Sequence, residues 1–473
     1  MLDHYQFTKT FREAGVTVED SARILTPLDG ERGVFIKEQA INKAIATKSC
    51  LVRIPAPLII TAAVASRVEV IRQCSARLGE FDAPGEATLL ALFVLVENAK
   101  GAGSSWQWYI NSLPRYGTSA LFYGKAELDA LSGTPLQMAV EAKLRQLHVQ
   151  YDSFSDILQD WKKEHGVSGS VSFDAFKWAN FITLSRAFSL QNCIIPADSS
   201  SSNDLLPHAG GDRALLPFLD LFNHSSQPSV HWSVDTVDGS VLAFVHAASN
   251  GPCISTEGLS FSELHLSYGA KSNTEWLYEY GFLPENNEHD AWPYFTNPTG
   301  TAQLVAIKQL WMLELGLSSR VMFFDPEKIH DAASVDSSQD DQFISRSAML
   351  SLCLASLDDT SDACLRTIGA VVPEHPYFTV QSIYVDDDDK LLQIPGLRKY
   401  ALDQCAAFLQ CQANELQEKQ PISIAEASPG NALPLPEQRQ QQQRVADVNT
   451  YIRAESLLVR RIAQAVVKKA CLL

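Results

Sequence analysis

At 473 residues, with a formal net charge of -17, 46% hydrophobic and 20% charged residues, the chain is long enough for two cores, and its composition excludes wholesale disorder and a repeat-only architecture. The acid excess argues against a general affinity for nucleic acid, because neutralising phosphate requires clustered Lys and Arg; it suits a basic protein partner or simple solubility. Nine cysteines without a CxxC pair or a His/Cys cluster of metal spacing point to a reducing compartment and to no bound metal.

The amino terminus, MLDHYQFTKTFREAG, carries charges where a secretory signal needs an apolar core, and reads as a short amphipathic helix. From about Ile24 to Thr61 short strands and turns are expected: Gly30 and Gly33 punctuate, Val34-Phe35-Ile36 is β-prone, and Leu51 to Pro55 makes another edge. Between about Ala62 and Val149 the pattern turns helical, as in Ala87 to Ala99 and Tyr109 to Leu113, with a break at Pro114 and Gly117. The apolar run Leu89 to Val96 is far shorter than the roughly 20 residues a bilayer needs and stops at Glu97, so it predicts a buried helix and no membrane partner.

In Phe173 to Phe188, apolar residues at 173, 176, 181, 184 and 188 keep helical phase. Asp198 to Asp212, rich in Ser, Asn, Gly and Asp, reads as a surface loop. β-Prone pieces return from Ala214 to Gly281, including Ser229 to Val234, Val241 to His246 and Leu264 to Tyr268, which implies a sheet split by a helical insertion. After about Asn287 helices dominate. The last, roughly Gln440 to Val466, carries Val445, Val448, Ile452, Val459, Ile462 and Val466 as a core-facing stripe interrupted at Glu455. The acidic run Asp386 to Asp389 is expected as a solvated loop, and Pro421 to Pro436 as an exposed connection.

No segment matches a nucleotide P-loop, a dinucleotide fingerprint, a hydrolase elbow or a zinc-protease helix. Three others stand out: Gly30-Glu31-Arg32-Gly33-Val34-Phe35; Leu216 through Asp220-Leu221-Phe222-Asn223-His224-Ser225; and Ser267-Tyr268-Gly269-Ala270-Lys271-Ser272-Asn273 followed by Glu279-Tyr280-Gly281-Phe282. Physically, an Asn-His pair after a strand offers amide, imidazole and backbone groups to a zwitterionic amino acid, although alone it is more often a satisfied turn. Glycines at 30 and 33 allow close backbone approach to a ligand or simply make a turn. Arg186 suits a carboxylate clamp or a surface cap, and tyrosines at strand ends are commonly core residues with a hydroxyl at the rim.

Together these segments resemble the SET-domain methyltransferases, in the branch containing the Rubisco, ribosomal-protein and cytochrome c lysine methyltransferases, whose DLxNHS and SYGxKSNxExLxxYGF patterns recur here. The resemblance spans Ile24 to Glu285. It implies an α+β fold: a split SET β-fold over 1–290 with a helical insertion at about 62–190, followed by an all-α substrate-binding domain over 291–473. It also implies S-adenosyl-L-methionine as cofactor, no metal, and a protein acceptor rather than nucleic acid or membrane, with the chain acting as a monomer in the cytoplasm or nucleus. Glu31, Arg32, Gly33, Arg186 (in SRAF), Asp220, Asn223, His224 and Phe282 would then hold the cofactor. Tyr268 would be the catalytic tyrosine, and Tyr280 a second tyrosine lining the acceptor channel and limiting methyl count.

Lysine is the implied acceptor, because the actin-histidine relative of this family lacks the tyrosine matching Tyr280. A non-catalytic SET-like scaffold is the other alternative, against which the intact Asn223, His224 and Tyr268 speak. The missing cysteine-rich flanks imply a non-histone substrate, such as a ribosomal or translation-related protein. Two departures from the family pattern, the segment Glu257 to Glu263 before Tyr268 and the long loop Asp198 to Asp212, are expected near substrate entry.

Overall fold

The computed structural model describes residues 5–27, 31–79, 85–190, 213–248, 251–256, 258–295, 320–324, 349, 351–353, 397–423 and 435–472. The expected loops at 198–212 and 386–389, together with Gly30 and Glu257, lie outside the described residues. The chain forms two compact units, residues 1–121 with 142–269 and residues 122–141 with 270–473.

Three small sheets build the first unit. One has the order β1 (Thr17–Val18), β4 (Cys50–Ile54), β10 (Val241–Val245), β9 (Val230–Val234), all antiparallel. A second orders β11 (Cys253–Thr256), β12 (Leu259–Leu266), β3 (Gly33–Lys37) and β2 (Ala22–Leu25). The third is β5 (Ile60–Thr61), β7 (Arg213–Leu215), β6 (Ala187–Ser189). The β-prone run Val34-Phe35-Ile36 is wholly buried, so its continuous apolar character reflects a strand covered on both faces. Phe35 packs with Leu25 and Phe261 in a small cluster.

Between β5 and β6 comes the helical insertion, including the helices Glu86–Lys100, Pro135–Glu164 and Phe173–Arg186. Leu90 to Val96 are buried as expected, and the helix continues past Glu97 to Lys100, close to the expected Ala99. The buried Glu97 carboxylate accepts from Lys100 Nζ at 2.6 Å and Ser104 Oγ at 2.6 Å, which makes burial tolerable. The helix Phe173–Arg186 starts at Ser172, whose hydroxyl accepts from Ala175 N, and runs straight into β6, so Arg186 occupies a fixed helix end.

The second unit packs the helices Leu397–Glu418 and Leu435–Leu472 around Trp292, Phe323 and Leu352. It also holds a two-stranded ribbon, β13 (Ala291–Phe295) with β14 (Arg320–Phe324). Every residue of the expected stripe, Val445 to Val466, is buried, and so is Glu455 at 0% exposure.

Candidate active site

The two-residue strand β8 (Asn223–His224) runs parallel to β12, pairing Asn223 with His265 and His224 with Leu266. Antiparallel β3 also pairs with β12 and sets Phe35 opposite Glu263. Asn223 Nδ2 donates to Glu263 Oε1 at 2.7 Å and to the Arg32 carbonyl at 3.3 Å. Both partners are acceptors only, so the amide must turn its NH2 toward them. Its Oδ1 is left with no donor among the described residues. Gly33 lies beneath this contact: a Cβ there would overlap Glu263 Oε1 and come within 3.0 Å of Asn223 Nδ2. Glycine at 33 therefore serves close packing of side chains onto backbone, not an unusual dihedral angle.

Glu263 was not singled out from the sequence. Burial raises its carboxyl pKa, against the opposing pull of the Asn223 hydrogen bond. The available signal was a carboxylate within β12, where Phe261 to Leu264 are consecutively buried. That strand is regular through Leu266, so the departure from the family pattern ahead of Tyr268 leaves the described approach to the tyrosine extended.

Three residues before Asn223, Asp220 sits in the short 3-10 turn Leu219–Leu221. Its buried carboxylate accepts from Tyr109 OH at 3.0 Å and lies 3.6 Å from Arg186 Nη1, which also donates to the Asp220 carbonyl. Burial raises the Asp220 pKa more than Arg186 and Tyr109 lower it. Asp220 Oδ1 and Arg186 Nε remain buried without a hydrogen-bond partner among the described residues. The turn begins at Phe218, a buried non-glycine residue with φ of +84°. Phe218 packs edge-on to Phe11 with ring centroids 5.4 Å apart, so core packing holds the left-handed backbone that aims Asp220 inward. Arg32 donates to the Ser112 carbonyl and lies over the Phe7 ring at 5.1 Å. Burial and the charge of Arg186 lower its pKa.

Tyr268 follows β12 directly. Its hydroxyl donates to the Phe222 carbonyl at 2.7 Å, and its backbone N–H donates to His224 Nδ1 at 3.1 Å. An accepting Nδ1 makes His224 the neutral tautomer with hydrogen on Nε2. Burial raises the Tyr268 phenol well above its ordinary pKa, and the charges of Arg186, Asp220, Glu31 and Glu263 all act on it. Of the residues expected at the site, Glu31, Arg32, Gly33, Arg186, Asp220, Asn223, His224 and Tyr268 thus come together in the first unit.

Tyr280 and Phe282 belong to the second unit. A capping box between Ser272 and Glu275 starts the helical turn, and Gly281, at φ of +83°, ends it. Trp276 stands 5.1 Å from Tyr280 and 5.2 Å from Phe282 between ring centroids, and the Lys271 ammonium lies 5.6 Å from the Tyr280 centroid.

No family model matches the chain. It is 27% identical over 198 residues to the ribosomal lysine N-methyltransferase set10 of Schizosaccharomyces pombe, covering 42% of this chain and 31% of that protein. It is 24% identical over 238 residues to the actin-histidine N-methyltransferase of Xenopus tropicalis, covering 50% of this chain and 36% of that protein. The matched region spans about a third of the length of both relatives. A solved structure of the SET domain of LSMT bound to lysine and AdoHcy superposes with a TM-score of 0.64 at 17% identity, over 98% of this chain and 91% of that one.

The chain has the SET fold. Within the SET unit, the polar groups left over suit a zwitterionic amino-acid end. The free Asn223 Oδ1 is an acceptor for an ammonium, and the orphaned Arg186 Nε is a donor of the kind a carboxylate needs. Arg186 Nη1 is already engaged by Asp220, so Arg186 also braces the turn carrying Asn223.

Proposed function

We propose that this chain is an S-adenosylmethionine-dependent protein-lysine N-methyltransferase acting on a non-histone protein, ribosomal or translation-related. The observation that carries the proposal is the Tyr268 hydroxyl, tied to the Phe222 carbonyl beside His224 and Asn223. When bound, the cofactor supplies an electrophilic methyl group on a sulfonium. Asn223 and the Arg32–Gly33 backbone would hold its amino-acid end, with Arg186 and Asp220 fixing that turn. Phe282 would pack by its adenine.

Methyl transfer is an in-line displacement, so the main requirement is alignment of the groups that react. Free lysine, with a pKa of about 10.4, must lose a proton before it can attack. Tyr268 cannot be the base that takes it, because burial keeps the phenol protonated. Its role is to orient the amine through its oxygen, whose own hydrogen is committed to Phe222. Tyr280 would limit rotation of the amine and hence the methyl count. Histidine as acceptor is the second reading, favoured by the match to the actin-histidine enzyme. A monomer in the reducing cytoplasm or nucleus fits the scattered cysteines.

The test is transfer of tritiated methyl from S-adenosylmethionine into an extract lacking the protein, with the modified residue mapped by mass spectrometry. Label on lysine is expected, falling on the order of a hundredfold or more with Tyr268→Phe while cofactor binding persists. Label on histidine would move the assignment to the second reading, and full activity of Tyr268→Phe would remove Tyr268 from the reaction.

A further inference from the structure

In a chain of net charge -17, one helix runs against the trend. From Val448 to Leu472 the basic residues are Arg453, Arg460, Arg461, Lys468 and Lys469, and the only acid is Glu455, which is fully buried. Against this helix the end of Leu397–Glu418 and the segment that follows enclose a groove of about 350 Å³ within the second unit. Lys419, Arg453 and Arg460 line it, and among the described residues no carboxylate does. Between the two arginines, on the same face of the helix, Leu457 is 49% exposed. Asn449 closes the groove by exchanging two hydrogen bonds with the backbone of Ile422, each 3.0 Å long, which pins the segment carrying Lys419 to the helix. Arg460 is steadied by Gln417, and Arg453 makes no ion pair among the described residues.

We propose that this groove docks a short acidic segment of a protein partner, its carboxylates on Lys419, Arg453 and Arg460 and an apolar side chain on Leu457. The guanidinium groups offer bidentate donors to carboxylates, and the exposed leucine supplies the apolar contact that a bare anion would not use. A nucleic acid is the poorer occupant. The basic stretch is short, and the acid excess of the whole chain repels a long polyanion. The docked segment is therefore acidic even if the modified region of the same partner is basic, and docking holds whether or not the chain transfers methyl groups.

Fluorescence anisotropy with the full chain and a labelled peptide of alternating Glu and Leu tests this. Binding is expected, weakening about tenfold when salt rises from roughly 50 to 200 mM and about tenfold again with Arg453→Glu plus Lys419→Glu. The reversed variant should acquire affinity for a Lys-Leu peptide of the same length; Arg453→Gln, a milder change, should weaken Glu-Leu binding if the reversed variant does not fold. Equal binding by wild type and Arg453→Gln, or no binding at all, would overturn the proposal. So would a single-stranded oligonucleotide that displaces the peptide and binds more tightly, since the groove would then be a nucleic-acid surface.

Discussion

Asn223 can present an acceptor to a ligand only if something fixes which way its amide faces, and Glu263 does so. Glu263→Ala removes the charged acceptor at 2.7 Å and frees the amide to rotate. Affinity for S-adenosylmethionine should fall about tenfold by calorimetric titration, whereas Glu263→Gln, which keeps an acceptor oxygen, should retain most of it. Equal losses in both variants would mean that Glu263 acts through its charge alone. The Asn-His pair and Tyr268 were legible in the sequence through the DLxNHS and SYGxKSN patterns that carry them, since each alone reads as an ordinary turn or core residue. Glu263 and Tyr109 were not, since each becomes significant only through a partner distant in sequence, Asn223 in one case and Asp220 in the other. Arg186 was legible as a carboxylate binder, but the carboxylate beside it here is internal, a pairing that helical periodicity cannot reveal.

Among the elements, the helix Leu435–Leu472 shows both the reach and the limit of periodicity. Its apolar stripe was readable residue by residue, and Glu455 read as an interruption. The structure keeps the stripe continuous and buries the carboxyl, with neither oxygen hydrogen-bonded among the described residues. Burial and the nearby Asp290 raise its pKa well above the ordinary carboxylate value, so the folded protein holds it neutral. A carboxyl with a raised folded pKa contributes its stability in full below the unfolded value of 4.5, and that contribution is lost as pH climbs toward the folded value. Glu455→Leu should therefore stabilise the protein by about 1 to 3 kcal/mol at neutral pH, with an advantage that shrinks toward pH 4.5. Denaturant titrations at several pH values will show it; a gain independent of pH would mean that the carboxyl is not held neutral. The ribbon of β13 and β14 was not legible, because its two strands lie too far apart in sequence for the short loop by which a hairpin is recognised.

At the scale of the whole molecule, the split sheet around a helical insertion followed from β-prone segments on both sides of a long helical stretch. The assignment of residues 122–141 to the second unit did not, because that choice is made by long-range packing and not by local pattern. The gathering of Lys419 with Arg453 and Arg460 in one groove of a strongly acidic chain is likewise visible only when charges are placed on the fold. Everything proposed for the reaction depends on the SET unit holding the cofactor at Gly33, Asn223 and His224, with Tyr268 beside it. Isothermal titration of the folded chain with S-adenosylmethionine measures this most directly. One molecule should bind per chain, with binding lost in Asn223→Ala and retained in Tyr268→Phe. Well-folded protein that takes up no cofactor, or Asn223→Ala binding as tightly as wild type, would contradict it.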